Sequence, residues 1–395
     1  MAGRGRGSGV LALCVALLVG CGGPSAPDAA PGDVRRLLDR RAEAVLDRDA
    51  AAYRATGRPA EAYDNLRDLP LASWGYRLTA FDRDGARATA TAELRYRIKG
   101  YDRAPLSTTR TLSLQERDGQ WYVAAERPAK KATEQLWDQG PVTSVRGDHS
   151  LVLGVGRGDR ATAELRSYAD LADRAVPSVR DAWRGKWPGQ VVVLVPKSLD
   201  GMAGLLGAPA SGYQGIAAVT TGEAGGSGQA PADRIIVNPE AYGVLGAFGK
   251  QVVITHEATH VATRAHTSRA TPLWLSEGFA DWVGYRGTGR TAAQAAPELR
   301  RAVQEERLPA ALPEDGDFGF SGDAGKLAQA YEGAWLACRM IADQWGEERL
   351  TAFYEAVGDH KKRPGAVADA LRDVLGLTPE EFTARWRTYL RAELG

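Results

Sequence analysis

The chain has 395 residues, 44% hydrophobic and 25% charged, with a formal net charge of +1 and ten Trp. That balance excludes a disordered chain and a basic nucleic-acid surface, and it supports substantial apolar cores. The length exceeds what one core usually supports, so two folded domains are expected.

Residues 1–21 read as a targeting segment. Arg4 and Arg6 supply a positive start, and Val10 to Val19 an apolar run too short for a lasting transmembrane helix. Leu18-Val19-Gly20-Cys21 resembles the lipobox of bacterial lipoproteins, which implies cleavage before Cys21 and a lipid on its sulfur. An ordinary secretory signal with an incidental Cys is the alternative. The expected location is extracytoplasmic, anchored to the cell membrane through Cys21. Cys14 leaves with the signal, so Cys338 remains alone, reads as a small core residue, and no intramolecular disulfide is expected. Residues 22–31 (GGPSAPDAAP) form a flexible tether.

Residues 32–128 open with Val34 to Tyr53, amphipathic at helical period. Strand patterns follow at Trp74 to Phe81, Arg87 to Tyr101, Thr108 to Glu116 and Gln120 to Glu126. Asp82-Arg83-Asp84-Gly85 and Arg117-Asp118-Gly119 supply hairpin turns. A helix followed by an antiparallel sheet resembles the NTF2-like or SnoaL-like cone. No His precedes His149, so no independent catalytic centre is read here; such cones bind small molecules or act as spacers, and a spacer or substrate-docking role is expected. Residues 129–147 read as a linker.

Residues 148–395 begin with a strand at Ser150 to Val155, a helix over Thr162 to Trp183 and a buried strand at Gln190 to Val195. Gly215 to Thr220 and Arg234 to Val237 are further strands. Gly222 to Gln229 is too Gly-rich for regular structure; a loop over a cleft and a surface excursion are both open.

The chemistry gathers between Gln251 and Gly284. His256-Glu257-Ala258-Thr259-His260 is an H-E-x-x-H on a segment that suits a helix. Residues four apart share a helical face, so both imidazoles can address one ion with Glu257 beside them. Catalytic zinc takes three protein ligands and keeps a fourth position for water, from which Glu257 can accept a proton. A bare motif also arises on solvated helices, but three of the five His lie between His256 and His266, and a second carboxylate segment follows.

Two residues compete as third ligand. His266 stands in metzincin register, yet Thr263 occupies the position where that pattern needs a Gly, and no Met-turn is available: Met202 precedes the motif and Met340 lies in an apolar run. The rival is Glu277 in Trp274-Leu275-Ser276-Glu277-Gly278-Phe279-Ala280-Asp281, on a helix opened by Pro272. Asp281, one turn on, can accept the spare N–H of a liganding His. This arrangement resembles the gluzincin metallopeptidases over Leu151 to Leu394, tightly only from His256 to Asp281. The resemblance implies His256, His260 and Glu277 on one Zn2+ and Glu257 as general base. Related gluzincins place a small sheet ahead of the motif helix, and its edge strand receives extended peptide.

Downstream, Pro297 to Glu306, Gly325 to Trp345, Glu348 to Val357 and Thr378 to Glu393 read as helices punctuated by Pro309, Pro313 and Pro364. The resemblance suggests Tyr331 as an oxyanion donor, while a Tyr packed in the core is equally open. Asp317 to Gly322 (DFGFSG) is loop, with no other kinase element to support its DFG. The expectation is an α+β chain: an NTF2-like domain, then a gluzincin-like zinc metallopeptidase acting on peptide or protein. The alternative is a non-catalytic zinc-containing surface module. A purely structural zinc would call for a fourth protein ligand.

Overall fold

A computed structural model describes residues 29–58, 60–221, 231–319 and 323–395. The leader with its lipobox at Cys21, residues 22–28 of the tether, the Gly222 to Gln229 segment and residues 320–322 lie outside the described residues, and the last two residues assigned to the tether, Ala30 and Pro31, already belong to the first helix. The fold is α+β, and among the described residues no helix is long and apolar enough to cross a membrane.

The first helix, α1 (Ala30–Leu46), buries Val34, Leu37, Leu38, Ala42 and Val45, the three-and-four spacing of one helical face. It does not run on to Tyr53 as its periodicity suggested. Arg48 takes a φ of 58° and breaks the helix, and Asp49 caps a new one, α2 (Ala50–Ala55), by accepting from the Ala51 and Ala52 amides at 2.9 Å each. A third helix, α3 (Ala60–Leu66), leads into four strands: β1 (Leu71–Asp84), β2 (Arg87–Ile98), β3 (Leu106–Arg117) and β4 (Gln120–Pro128). They pair in sequence order as an antiparallel meander. Asp118 and Gly119 both adopt positive φ between the paired Arg117 and Gln120, the backbone that a two-residue type I′ turn requires. Along β2, Ala88, Ala90, Ala92, Leu94, Tyr96 and Ile98 are buried at period two. Register shifts in β1 and between Ser113 and Leu114 bend the sheet around α1.

Residues 129–147 are not simply a linker. Leu136–Asp138 form a 3-10 turn whose Trp137 is buried against Trp74 and Tyr96, with ring centroids 5.2 and 5.0 Å away. Val142–Arg146 is strand β5, the edge of a second sheet. The other strands of that sheet are β6 (Ser150–Val155), β7 (Val191–Val195), β8 (Ala218–Thr221) and β9 (Arg234–Val237), in the order β5-β6-β7-β9-β8. β6, β7 and β9 run parallel, and both edge strands pair antiparallel. Parallel β6 and β7 need a long crossover, which α4 (Asp159–Ala182) provides. It lays Leu165, Tyr168, Ala169, Ala172, Val176 and Val179 into the core.

The remaining chain is helical: α5 (Leu199–Leu206), α6 (Pro239–Gly243), α7 (Ala247–Thr263), α8 (Leu273–Tyr285), α9 (Ala292–Ala295), α10 (Pro297–Gln304), α11 (Ala324–Trp345), α12 (Glu347–Gly358), α13 (Ala366–Ala370, continued by a π turn to Leu375) and α14 (Pro379–Leu394). Cys338 is buried within α11 and unpaired, as a core residue should be.

The two sheets share a core. Leu94, Tyr96 and Ile98 from the first pack in one apolar cluster with Leu151, Leu153 and Val192 from the second. A buried ion pair crosses the same boundary. Asp102, just past β2, receives Arg234 of β9 at 2.8 and 3.0 Å, the Ile98 amide at 2.7 Å and the Ala232 amide at 3.1 Å. Removing one member of a buried pair leaves the other charge uncompensated. Asp102→Ala is therefore expected to cost about 3–5 kcal/mol in chemical denaturation.

Candidate metal centre

Helix α7 carries His256, Glu257 and His260, and α8 carries Glu277 and Asp281. Pro272 caps α8 in extended conformation, so the helix begins at Leu273 and brings Glu277 and then Asp281 round to α7. Gly278 beside Glu277 has a packing reason. A Cβ there would stand 2.3 Å from the Ala334 carbonyl oxygen, so only glycine lets α8 lie this close to α11.

The donor atoms converge. His256 Nε2 lies 3.0 Å from His260 Nε2 and 3.2 Å from Glu277 Oε2; His260 Nε2 lies 3.6 Å from Glu277 Oε1. Among the described residues, these three form the set whose ligand atoms all fall within 4.8 Å of one another. Ligands about 2.0–2.1 Å from a tetrahedral ion are separated by about 3.3 Å, which these spacings bracket. Two imidazoles and a carboxylate are also a donor set that zinc accepts. The residues fit the ion, and among the described residues no further His, Cys, Asp or Glu joins the set.

Asp281 fixes one ring. Its Oδ1 lies 2.7 Å from His256 Nδ1. A carboxylate only accepts, so Nδ1 carries the hydrogen and Nε2 is the atom left for the metal. Burial disfavours charge on His256, yet Asp281 and Glu277 outweigh it and hold its pKa well above the usual imidazole value. Burial likewise opposes ionised Glu277, but His260 and His256 hold its carboxyl well below the usual range.

Tyr331 of α11 reaches the same place, its hydroxyl within the electrostatic influence of Glu277, Asp281 and Glu257. Burial first, and then the nearby Glu277, Asp281 and Glu257 carboxylates, push its hydroxyl far above the ordinary phenol, so it keeps its proton as a donor. Its ring also packs on Phe318, with centroids 5.1 Å apart, so it serves the core as well. A cavity of about 310 Å³ opens beside it, lined by Asp281, Tyr285, Leu327, Tyr331 and Trp335 among others.

His266 is outside this group. It ends a 3-10 turn that continues α7, its ring 5.4 Å from Trp183 and its Nδ1 3.8 Å from Asp359. Thr263 keeps helical backbone, so the chain does not turn back toward His256 and His260 there. One contact escaped the sequence. Thr220 of β8 places its hydroxyl 2.6 Å from Glu257 Oε2. A Thr near the end of a strand pattern gives no signal of such a partner.

No protein-family model and no curated protein matches the chain. A solved chain titled "Rd1NTF2_05", with five point substitutions, aligns over 26% of this chain and 97% of its own length, at 11% identity and a TM-score of 0.22. At that score the likeness carries no argument about fold or function.

Two measurements follow from the geometry. Asp281→Asn should weaken zinc affinity about 10–100-fold in a chelator competition, while His266→Ala leaves it unchanged. Zinc must also displace a proton from His256, whose pKa is raised. Affinity should therefore level off only above that pKa and fall about tenfold per pH unit below it, starting well above pH 6.5. Calorimetric titration across buffers of different ionisation heat counts the proton released.

Proposed function

We propose that the chain is a zinc-dependent metallopeptidase that hydrolyses peptide bonds outside the cytoplasm, held to the membrane by a lipid on Cys21. The observation that carries the reading is the convergence of His256, His260 and Glu277 with Glu257 next to them on α7. Zinc, when bound by those three residues, supplies a Lewis acid that polarises a carbonyl and acidifies water.

The chain's own groups divide the remaining work. Glu257, only 6% exposed, accepts the proton of the attacking water and passes it to the departing amine. Tyr331, held in its protonated form, donates a hydrogen bond to the oxyanion as the carbonyl becomes tetrahedral. Asp281 keeps His256 in one tautomer and one orientation. β8 is an edge strand whose outer backbone groups face no other described strand, and an extended peptide can add to it beside Glu257. The cavity beside Tyr331 gives room for a substrate side chain.

Glu257→Gln keeps the shape of the site but removes the base. It should retain zinc by elemental analysis and lose about 10²–10⁴-fold in kcat against a peptide that the wild type cleaves. A wild type that holds zinc yet cleaves nothing in a broad peptide library would replace this reading with a zinc-containing surface binding module.

A further inference from the structure

The Glu257 carboxylate has one hydrogen-bond partner among the described residues, and it comes from the sheet. Thr220 Oγ1 lies 2.6 Å from Glu257 Oε2 and 3.1 Å from the Glu257 carbonyl oxygen. A hydroxyl has one hydrogen, and the shorter, charge-assisted contact to the carboxylate is the stronger claim on it. Thr is stiff about χ1, so the hydroxyl position follows from the strand backbone. That backbone is itself held. Thr220 pairs with Ile235 of β9, Thr221 donates to the Arg234 carbonyl at 3.3 Å, and Arg234 is locked onto Asp102.

Glu257, by contrast, has three rotatable side-chain bonds and sits between two liganding His residues. Without a fixed contact its two oxygens exchange places and its carboxyl plane turns. We propose that Thr220 is a positioning residue: its hydroxyl ties down one oxygen of Glu257 and leaves the other to face the reacting water. This rests on the metallopeptidase reading above. Thr220 also belongs to the edge strand on which an extended substrate would lie, so one strand orders both the peptide and the base. A change that shifts β8 then shifts both together.

The test uses the full chain with Thr220→Val, which keeps the shape and removes the donor, and Thr220→Ser, which keeps the donor. Zinc content should match the wild type in both. Thr220→Val should lower kcat about 10–100-fold, the cost of a misdirected group, with KM within about twofold. Thr220→Ser should restore kcat to within about threefold of the wild type. A denaturation cycle supplies a readout independent of turnover: Thr220→Val should lower the midpoint more in the wild type than in Glu257→Ala, where only the backbone carbonyl of residue 257 remains to accept from the hydroxyl.

Additive midpoints would show that the two side chains do not interact and would overturn the proposal. Non-additive midpoints with unchanged kcat would make the contact structural only, and overturn it as well. A wild type that binds zinc and cleaves no peptide overturns the metallopeptidase reading first, and the role of Thr220 falls with it.

Discussion

Two imidazole nitrogens stand 3.0 Å apart, each with an oxygen of the Glu277 carboxylate within 3.6 Å. His256 Nδ1 donates to Asp281, which leaves Nε2 facing His260 Nε2 and the Glu277 carboxylate, a convergence that one cation would bridge. The rest of the helical half is arranged to hold that convergence. α8 must lie against α7 on one side and α11 on the other, and both approaches depend on missing side chains. A Cβ at Gly278 would meet the Ala334 backbone at 2.3 Å, and one at Gly284 would meet Val252 at 3.3 Å. The glycine beside Glu277 therefore belongs to packing rather than to chemistry.

The sheet supplies the other wall. β8 stands at its edge, tied to the motif helix through Thr220 and to the interior through β9. From β9 the connection passes through Arg234 to Asp102, just past the end of β2 in the first sheet. The N-terminal residues thus hold β9, the neighbour of the strand that flanks the site, although none of those described lies among the converging donors. A spacer role for the first sheet describes its lack of reactive groups, but not its mechanical attachment.

Much of the site was legible in the sequence because its logic is local. The spacing of four between His256 and His260, and again between Glu277 and Asp281, repeats a helical turn, and Pro272 marks where one helix gives way to the next. The four strands of the first sheet showed themselves by alternation and by turn residues such as Asp118-Gly119. What stayed hidden was non-local or short. Asp102 and Arg234 are 132 residues apart, and each looks like an ordinary surface charge in sequence. Thr220 and Glu257 meet only because β8 packs on α7. Val142–Arg146 is a five-residue edge strand beside Gly140-Pro141, where turn chemistry masks the pattern. The break in the first helix rests on Arg48, a non-glycine residue at positive φ, which nothing in its neighbours announces.

The shared apolar cluster also decides where the chain can be cut. Leu151, Leu153 and Val192 from the second sheet are buried together with Trp74, Tyr96 and Trp137. A fragment starting at Ser150 would keep every proposed metal ligand yet lose strand β5, Trp137 and the partner of Arg234. It would present a naked strand edge and a wet apolar sheet face, the two features that drive soluble domains into aggregates. Fragment boundaries for expressing the half with the proposed metal ligands therefore belong ahead of α1, even though those ligands begin more than two hundred residues later.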